Sequence, residues 1–391
     1  MSLKSLIIKR MKKMNIIQFL PYYPPHKWGL ETHSEQWGKY WVKNDFWKVY
    51  NIITSFNQNY DLWKKIIFKN IIIWYKKDWV ENLIIPSFEI INNFPIYKIW
   101  SKEYKLIIQY IKKKKIDVVI TRTRFFLTSL TWWIFAKKNK IRWIHIEHWS
   151  DYVKLNSKFK SFLAFIYDKL FGKWIFKKAD KLFGLSNACK IFIQKKFINR
   201  EVNVIYRWVE LQKNNSLKKW DLKLVFIWRL VKLKWVDYLL EVYNKLNINI
   251  KLVIIWDWEE KNNLEKFVKL NNLENVEFLW FKDKEFIENF LAKNNCILVN
   301  PSYQEWLPTT VIEWLFYKNV VVASNVWWTN EISNKEDLIL FEAWNKEQLK
   351  DKINFAINNY KNLVWKSKNI ILEKFDWDKN ILKYYKMFNE E

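Results

Sequence analysis

Short apolar runs rich in Val and Ile alternate with amphipathic stretches along most of the chain. Such runs are typical of parallel strands that are buried on both faces. They predict strands at 15–20, 49–56, 117–121, 142–147, 181–185, 223–227, 251–255, 276–278, 296–300 and 320–323. Stretches of helical period lie between the runs, for example at 236–245 and 309–316. This alternation predicts an α/β fold with parallel sheets.

A polar segment without periodicity, residues 210–221, lies in the middle of the chain and is interpreted as a linker. It separates a first domain at 1–209 from a second at 222–370, each long enough to form its own core. A final helix within 371–391 is expected to return to the first domain. Two doubly wound domains joined in this way are expected to face each other across a cleft, with ligands bound where the strands end.

The composition is unusual in its glycine and tryptophan content. The 391 residues include 4 glycines and 27 tryptophans, whereas an average chain of this length has roughly 7% glycine, or about 27 residues. Tight turns and helix ends need residues without a Cβ atom. The glycine and tryptophan counts therefore look exchanged. Half of the residues are hydrophobic, which excludes a disordered chain.

Cysteine content and apolar run length bear on the compartment. Cys189 and Cys296 are too few for a disulfide framework and favour a reducing environment. No uninterrupted apolar run reaches the roughly 18 residues of a membrane span. The apolar part of residues 1–20 is too short for a signal peptide. We therefore expect a cytoplasmic protein.

The formal net charge is +27, and only 7 of the 67 basic residues are arginines. Lys, Asn and Ile are abundant together, which indicates an AT-rich genome and a solvated lysine surface. The second interpretation is attraction to an anionic membrane face, where each lysine contributes roughly 1 kcal/mol. Nucleic acid is not expected as a partner, because nucleic-acid sites usually use arginine.

The loops after the predicted strands carry a series of motifs: PPHKWGLETH at 24–33, HIEHWS at 145–150, FIWRLVKLKW at 226–235, IIWDWEE at 254–260, LWF at 279–281, NPSYQEWLPTTVIEWL at 300–315 and VVVASNVWWTNEI at 320–332. With glycine in place of most of these tryptophans, the series resembles the motifs of family 4 glycosyltransferases in order and spacing. The resemblance runs from about residue 15 to residue 389. It implies the GT-B fold, in which two Rossmann-like doubly wound domains face a cleft.

Twelve tryptophans fall where the resemblance places glycine: Trp28, Trp47, Trp149, Trp208, Trp228, Trp235, Trp256, Trp258, Trp280, Trp306, Trp327 and Trp328. The turn around Asp257 needs a positive φ, which costs a bulky residue about 1–2 kcal/mol. We hypothesise that the native host reads the codon UGA as glycine, although it is translated here as tryptophan. Trp377 is expected to be a genuine tryptophan. The alternative is a literal aromatic surface, as in a sugar-binding lectin.

Two cations are candidates for the donor site of the second domain. Arg229 and Lys234 follow its first predicted strand, and the resemblance assigns them to the diphosphate of a nucleotide-sugar donor. Fixed cations there would stabilise the leaving nucleoside diphosphate without a metal. Without the motif, both residues would be ordinary surface cations.

A pair of glutamates eight positions apart, Glu305 and Glu313, matches the E-x7-E signature of the family. The resemblance assigns Glu313 to the ribose hydroxyls of the donor and Glu305 to the donor sugar. The N–H groups near Leu307, Thr309 and Thr310 lie at a helix N-terminus, which is suited to a diphosphate. By themselves, two glutamates at this spacing would more often be a solvated helix face.

In the first domain, the resemblance selects His148, which would contact the donor sugar and the acceptor. Trp28 and Gly29 match the glycine loop that approaches the phosphates. Glu31 and His33 follow that loop and are expected only to line the acceptor side.

Four further sites complete the set of candidates in the sequence. His145 is interpreted as a core or supporting residue that shares a face with neither Ile144 nor Glu147. Ser186 matches a family serine, and a helix N-cap is the alternative. Lys318 and Asn319 depart from the family pattern, which has a small residue and a glycine there. Asp376 and Asp378 form a D-x-D pair away from the strand ends, so no metal site is expected.

The resemblance implies a retaining, metal-independent transferase that moves a hexose from a UDP- or GDP-linked donor to a saccharide or lipid-linked acceptor. Polysaccharide or glycolipid synthesis for the cell envelope is the expected setting, in the cytoplasm or at the inner face of the plasma membrane. The alternative is a peripheral membrane-binding protein with an inactive GT-B core. Its candidate contact is the basic, aromatic stretch 158–181, which would otherwise be an ordinary helix packed on the sheet.

Overall fold

The computed structural model divides the chain into two compact units, Met1–Ile205 and Tyr206–Glu391. It describes residues 13–23, 29–43, 47–55, 65–68, 71–77, 79–91, 94–153, 157–206, 218–227, 236–255, 261–302, 309–326, 329–332, 338–364, 375, 380, 383–386 and 388. Most of the proposed linker at 210–221 and of the C-terminal segment lies outside these residues. The domain limits and the return of the last helix therefore stay predictions.

The described strands of the first unit form one ten-stranded sheet. They are β1 (Met14–Leu20), β2 (Trp47–Ser55), β3 (Lys65–Phe68), β4 (Ile71–Lys77), β5 (Val80–Ile91), β6 (Phe94–Tyr97), β7 (Val118–Arg122), β8 (Arg142–Glu147), β9 (Lys181–Gly184) and β10 (Asn203–Val204). The helices are α1 (Gly29–Lys43), α2 (Lys102–Lys112), α3 (Leu127–Lys138), α4 (Lys158–Tyr167), α5 (Lys173–Lys178) and α6 (Asn187–Lys196). A π-helical segment, Asp168–Gly172, joins α4 to α5.

The strand order in this sheet is β10-β9-β8-β7-β1-β2-β5-β4-β3, and β6 pairs with β5. The strands from β10 to β5 run parallel, whereas β3, β4 and β6 extend the sheet with antiparallel pairs. Every residue of β7 is buried, as expected for a strand covered on both faces. Helix α3 covers β1, where the rings of Trp132 and Phe19 stack 3.6 Å apart.

The second unit contains a six-stranded, all-parallel sheet in its described part. Its strands are β11 (Lys219–Ile227), β12 (Leu252–Ile255), β13 (Val276–Trp280), β14 (Asn294–Asn300), β15 (Val320–Ser324) and β16 (Ile339–Phe341). Its helices are α7 (Val236–Leu246), α8 (Lys261–Leu270), α9 (Lys284–Lys293), α10 (Thr309–Phe316), α11 (Thr329–Ile332) and α12 (Lys346–Asn358). The order β13-β12-β11-β14-β15-β16 is that of a doubly wound dinucleotide-binding sheet.

The ten strands expected from the apolar runs are all present, with ends that differ by at most four residues. Helix α10 has the expected limits, and α7 is one residue longer than expected. Strands β3 to β6, β10 and β16 were not predicted from the sequence. Strands β3 to β6 belong to antiparallel pairs, whose prediction depends on recognising the turns between short runs.

One of these turns explains why the β4–β5 hairpin was missed. Lys77 of β4 pairs with Val80 of β5, so two positions separate the paired residues, the second of which is Trp79. Two-residue hairpin loops favour Asn-Gly or Asp-Gly because their turns need positive φ. Trp79 has a φ of 68°. An Asp-Gly pair would have indicated this hairpin, whereas Asp-Trp does not.

Two more tryptophans have left-handed backbone conformations among the described residues. Trp280 ends β13 with a φ of 49°, and Trp344 precedes α12 with a φ of 73°. Trp344 is the third residue of a turn in which the Asn345 N–H donates to the Glu342 carbonyl, a position where positive φ favours glycine. No described glycine has a positive φ.

Replacing Trp79 or Trp344 by glycine is expected to raise the free energy of unfolding by about 1 kcal/mol, because glycine adopts this conformation without strain. Both side chains are mostly exposed, at 72% and 65%, so little packing is lost. Urea denaturation measures the change. The matched control is Trp132→Gly in α3, which is expected to cost about 3 kcal/mol or more because Trp132 is fully buried. Destabilisation by Trp79→Gly would contradict the strain argument.

Candidate active site

In the first unit, the strand order reverses at β1, which pairs with β2 on one side and with β7 on the other. Doubly wound sheets bind ligands outside the carboxyl ends of the strands at such a point. Four polar side chains lie together there: Gln18 of β1, His33 of α1, Arg122 at the end of β7 and His148 directly after β8. The first three are fully buried.

Arg122 connects the members of this cluster. Its Nη1 donates to His33 Nδ1 at 3.3 Å and to His148 Nε2 at 3.4 Å. Its Nε and Nη2 donate to Gln18 Oε1 at 3.3 and 3.1 Å. Because a guanidinium only donates hydrogen bonds, each of these histidine nitrogens must present a lone pair to it. Arg122 therefore selects the tautomer and the orientation of both imidazoles.

A buried chain of side-chain amides orients Gln18 toward Arg122. Gln18 Nε2 donates to Asn51 Oδ1 (2.6 Å), and Asn51 Nδ2 donates to Asn82 Oδ1 (2.8 Å). Gln18 Nε2 also donates to the Ser34 carbonyl of α1 at 3.1 Å. These bonds use the amide nitrogen of Gln18 and leave its oxygen to accept from Arg122. We refer to Gln18, Asn51 and Asn82 as the amide chain.

The backbone that carries His148 is held by Glu147. Glu147 Oε1 accepts hydrogen bonds from the N–H groups of His148 (2.8 Å) and Trp149 (2.9 Å), and Oε2 accepts from the Arg124 N–H (3.1 Å). Burial alone would raise the pKa of Glu147. The Arg124 charge and contacts with His145 and the backbone outweigh burial and lower this pKa from its usual 4.5. The carboxylate is therefore charged and fixes the start of the loop.

Arg124 is buried between two carboxylates. Its Nη1 lies 3.4 Å from Glu147 Oε2, and its Nε and Nη2 donate to the two oxygens of Asp168 at 3.1 and 3.0 Å. Its Nη2 also donates to the Asp151 carbonyl at 2.7 Å, and its guanidinium lies over the Phe125 ring. Burial raises the pKa of Asp168 to about 6 despite the opposing effect of Arg124. This network ties the His148 loop to the π-helical segment.

His145 corrects one expectation from the sequence. Its Nε2 lies 3.6 Å from Glu147 Oε2, so the two side chains share a face of β8. Residues i and i+2 of a strand always do so. His145 Nδ1 is hydrogen-bonded to Thr121 Oγ1 at 2.9 Å and the residue is fully buried, which confirms it as a supporting core residue.

In the second unit, the strand order reverses between β11 and β14, which pair in parallel. Asn300 and Ser302, at the carboxyl end of β14, are fully buried. Asn300 Nδ2 and Ser302 Oγ have no hydrogen-bond partner in the described part of the chain. Ser324 Oγ donates to the Ser302 carbonyl, and Thr329 Oγ1 donates to the Ser324 carbonyl (2.8 Å). Two buried polar atoms are thus available to a ligand at this strand end.

The structure describes only some of the donor residues expected in the second unit. Glu313 lies in α10 and is partly buried. Thr309 and Thr310 are the first two residues of α10, so their N–H groups belong to its first turn. Arg229, Lys234, Glu305 and Leu307 lie outside the described residues.

The structure describes Gly29 of the expected glycine loop, and it also describes Ser186. Gly29 is the first residue of α1, whereas Trp28 lies outside the described residues. Ser186 is the N-cap of α6, and its side chain accepts from the Cys189 N–H at 2.9 Å. This bond favours the N-cap interpretation of Ser186. Cys189 and Cys296 are both buried, and neither forms a disulfide bond.

The departure at Lys318 and Asn319 has a structural explanation. Lys318 has a φ of 54°, the conformation that glycine usually supplies. Asn319 is buried, where Nδ2 donates to the Leu291 carbonyl (3.1 Å) and Oδ1 accepts from Lys218 Nζ (2.7 Å) and the Cys296 N–H (3.1 Å). Asn319 therefore connects β14 with its neighbours, and its N–H also donates to the carbonyl of Trp314 in α10 (3.1 Å).

Arg122, Gln18 and the amide chain were missed in the sequence. Their signal was available, because Gln18 and Asn51 interrupt apolar runs that predict buried strands. A polar side chain at a fully buried strand position needs a partner.

Within the described residues, no group of three or more His, Cys, Asp or Glu side chains is placed to hold a metal ion. No helix in the same part of the chain is long and apolar enough to span a membrane.

Comparison with known proteins agrees with this architecture. Residues 209–373 match the family described as glycosyl transferases group 1, and residues 74–213 match glycosyltransferase family 4. An uncharacterized glycosyltransferase of Methanocaldococcus jannaschii is 32% identical over 406 aligned positions, covering 97% of this chain and 99% of the relative. The chain therefore belongs to the group 1, family 4 glycosyltransferases.

Solved structures show the same fold at low identity. Sucrose-phosphate synthase from Thermosynechococcus elongatus superposes with a TM-score of 0.72 at 15% identity, covering 96% of this chain and 98% of that one. Anabaena HepE, in complex with UDP and glucose, superposes with a TM-score of 0.70 at 13% identity, covering 97% and 100%. The fold is GT-B, with two Rossmann-like units, as the sequence predicted.

Arg122 is expected to act as a positioning residue for His148. Arg122→Met keeps the side-chain length but removes every donor, and it is expected to lower kcat for sugar transfer by about one to two orders of magnitude. The donor KM is expected to change little. Arg122→Lys, which retains a cation, should recover part of the loss.

Arg142→Met is the matched control for this prediction, because Arg142 lies at the opposite end of β8. Steady-state kinetics of all three variants, with thermal melting to verify folding, test the role. Equal kcat values for Arg122→Met and Arg142→Met would contradict it.

Proposed function

We propose that this protein is a retaining glycosyltransferase that moves a hexose from a UDP- or GDP-linked donor to a saccharide or lipid-linked acceptor. The observation that carries the proposal is the pairing of β11 with β14. The strands that precede Arg229 and Glu305 are neighbours where the strand order reverses, which is the expected place for a nucleotide. The complex of HepE with UDP and glucose supports a nucleotide-linked hexose as donor.

Each proposed role follows from the charge that develops during transfer. As the glycosidic bond breaks, negative charge grows on the leaving diphosphate, and Arg229 and Lys234 stabilise it in place of a metal ion. Glu313 binds the ribose hydroxyls and Glu305 binds the hydroxyls of the donor sugar. The N–H groups at the start of α10 add positive dipole ends near the diphosphate.

His148 is proposed to contact the donor sugar and to support the positive charge that develops on it. The acceptor hydroxyl attacks from the face that the diphosphate leaves, and the leaving diphosphate takes the acceptor proton. The contact with Arg122 supports this role, because the guanidinium beside His148 Nε2 fixes the orientation of the imidazole ring.

We propose cell-envelope polysaccharide or glycolipid synthesis as the setting, with the enzyme peripheral to the inner face of the plasma membrane. A second candidate, a membrane-binding protein with an inactive core, is favoured only by the exposed apolar residues of α4. The presence of Arg229, Lys234, Glu305 and Glu313 in the sequence argues against an inactive core.

A panel of UDP- and GDP-sugars tests the proposal on protein made from a gene with glycine at the twelve motif tryptophans. Arg229→Ala and Lys234→Ala are each expected to lower kcat about 10²–10³-fold, because each removes a charge that acts on the leaving group. Lys269→Ala, an exposed lysine of α8, is the matched control and should leave kcat unchanged. Unchanged turnover in the Arg229 and Lys234 variants would refute the site assignment.

The same assay distinguishes the finer parts of the proposal. NMR of the product should show the anomeric configuration of the donor retained. Activity should survive EDTA if the two cations replace a metal. Inversion of configuration, or loss of activity restored by Mg²⁺, would contradict the corresponding part.

A further inference from the structure

Helix α4 presents apolar side chains to solvent and buries none of its residues. The exposed apolar side chains of α4 and the following π-helical segment are Phe159, Phe162, Leu163, Phe165, Ile166, Leu170 and Phe171. Phe159 is 69% exposed and Leu170 is 62% exposed. Contiguous exposed apolar groups of this kind usually mark an interaction site. Helix α4 therefore exposes more apolar surface than expected for an ordinary helix packed on the sheet.

Five of these side chains form one stripe, which we call the α4 stripe: Phe159, Phe162, Leu163, Ile166 and Leu170. Their spacing is i, i+3, i+4, i+7 and i+11, which places them on one side of a helix. In a soluble protein such a stripe normally faces the core. Here the stripe faces away from it, because none of the α4 residues is buried.

The exposed charges within residues 158–178 have a single sign. Residues 158–178 contain six lysines: Lys158, Lys160, Lys169, Lys173, Lys177 and Lys178. The one acidic residue in this range, Asp168, is fully buried against Arg124. Lys158 and Lys160 flank Phe159, so cations lie beside the apolar residues at the start of the stripe.

The C-terminal end of the α4 stripe is anchored to the core of the first unit. Asp168 makes the two-oxygen contact with Arg124, and Gly172 packs so closely that a Cβ atom there would lie 3.2 Å from Arg124 Cδ. Ile175 and Phe176 of α5 are fully buried. The apolar residues are therefore presented on an anchored support.

We propose that the α4 stripe inserts into the interface of an anionic lipid bilayer, with the flanking lysines at the phosphate headgroups. Apolar side chains on one face and lysines at its margins are the features by which amphipathic helices bind such surfaces. Protein–protein interfaces, in contrast, are depleted in lysine. This proposal names the residues of the membrane contact and rests on the proposed function for its biological role. Lipid binding itself does not require sugar transfer.

Vesicle co-sedimentation of the full chain tests the proposal. The vesicles contain phosphatidylcholine alone, or phosphatidylcholine with about one third phosphatidylglycerol. Binding is expected only to the anionic vesicles and should weaken at high salt. Phe162→Ser with Ile166→Ser is expected to lower the partition coefficient about tenfold or more, and Lys160→Gln about fivefold.

Matched controls come from α8, where Leu270 is 82% exposed. Leu270→Ser removes an exposed apolar side chain and Lys269→Gln removes a positive charge, both outside the α4 stripe. Both variants should bind vesicles like the unaltered protein. The α4 variants should fold, because they change no buried residue, and should hydrolyse or transfer the donor sugar normally without lipid. Inactive protein that still binds vesicles would refute the proposed function and leave the stripe proposal standing.

Three results would overturn the stripe proposal: no vesicle binding by active protein, equal binding to neutral vesicles, or equal loss in the α8 controls. A fall in molar mass on Phe162→Ser with Ile166→Ser, measured by light scattering without lipid, would identify the stripe as a self-association surface instead.

A separate observation concerns the tryptophans with positive φ. Trp79, Trp280 and Trp344 adopt a conformation that glycine favours. Of the twelve tryptophans selected by motif, the structure describes Trp47, Trp149 and Trp280, and only Trp280 has this conformation. Trp79 and Trp344 lie outside every motif, so their backbone conformation supports glycine independently of the family resemblance. Six other described non-glycine residues, none of them tryptophan, also have a positive φ.

We infer that positions 79, 280 and 344 carry glycine in the protein made by its native host, as expected if UGA is read as glycine there. Peptide mass spectrometry of protein purified from that host tests this inference. Glycine is expected at all three positions, and Trp377 serves as a control expected to remain tryptophan. Tryptophan at positions 79 and 344 would overturn the inference.

Discussion

The buried ion pair between Arg124 and the carboxylates of Glu147 and Asp168 supports most of the functional surface of the first unit. Removing one partner of such a pair typically costs about 3–5 kcal/mol, because a charge is left buried and unpaired. Glu147 holds the backbone of His148, and Asp168 begins the π-helical segment that carries α4. One guanidinium thus connects a candidate catalytic loop with an exposed surface on the same unit.

Much of the fold was predictable because its central strands are continuous apolar runs. Strand β7 is the plainest case, since all five of its residues are buried. The antiparallel extension formed by β3, β4 and β6 was not predicted, because its strands are recognised by short turns, one of which carries Trp79 where glycine is favoured. Alternating strands and helices predict a parallel sheet in the second unit, but the strand order itself is known only from the structure.

The candidate site was predictable only where a motif lies beside a strand end. His148 follows β8 directly, so its position was expected. Arg122 and the amide chain were not, because their importance arises from pairings between strands that are distant in sequence. Gln18 and Asn82 are 64 positions apart and meet through Asn51 only after β1, β2 and β5 align. The spacing of residues along the chain does not show which strands will be neighbours in the sheet.

The absence of buried residues in α4 also affects how the helix itself is stabilised. A ten-residue helix that buries none of its residues gains little from tertiary packing, which here includes the ring contacts of Phe165 with Tyr152 and of Tyr167 with Phe94, and is marginal in water because nucleation is unfavourable. The C-terminal end of α4 adjoins the buried residues Asp168 and Gly172 and the core residues of α5, which hold its last turn in place. The stabilisation of α4 is therefore expected to be greatest at this end and to decrease toward Ser157. Amide hydrogen exchange along α4 should therefore form a gradient, slowest beside Asp168 and fastest at the free end that carries Phe159.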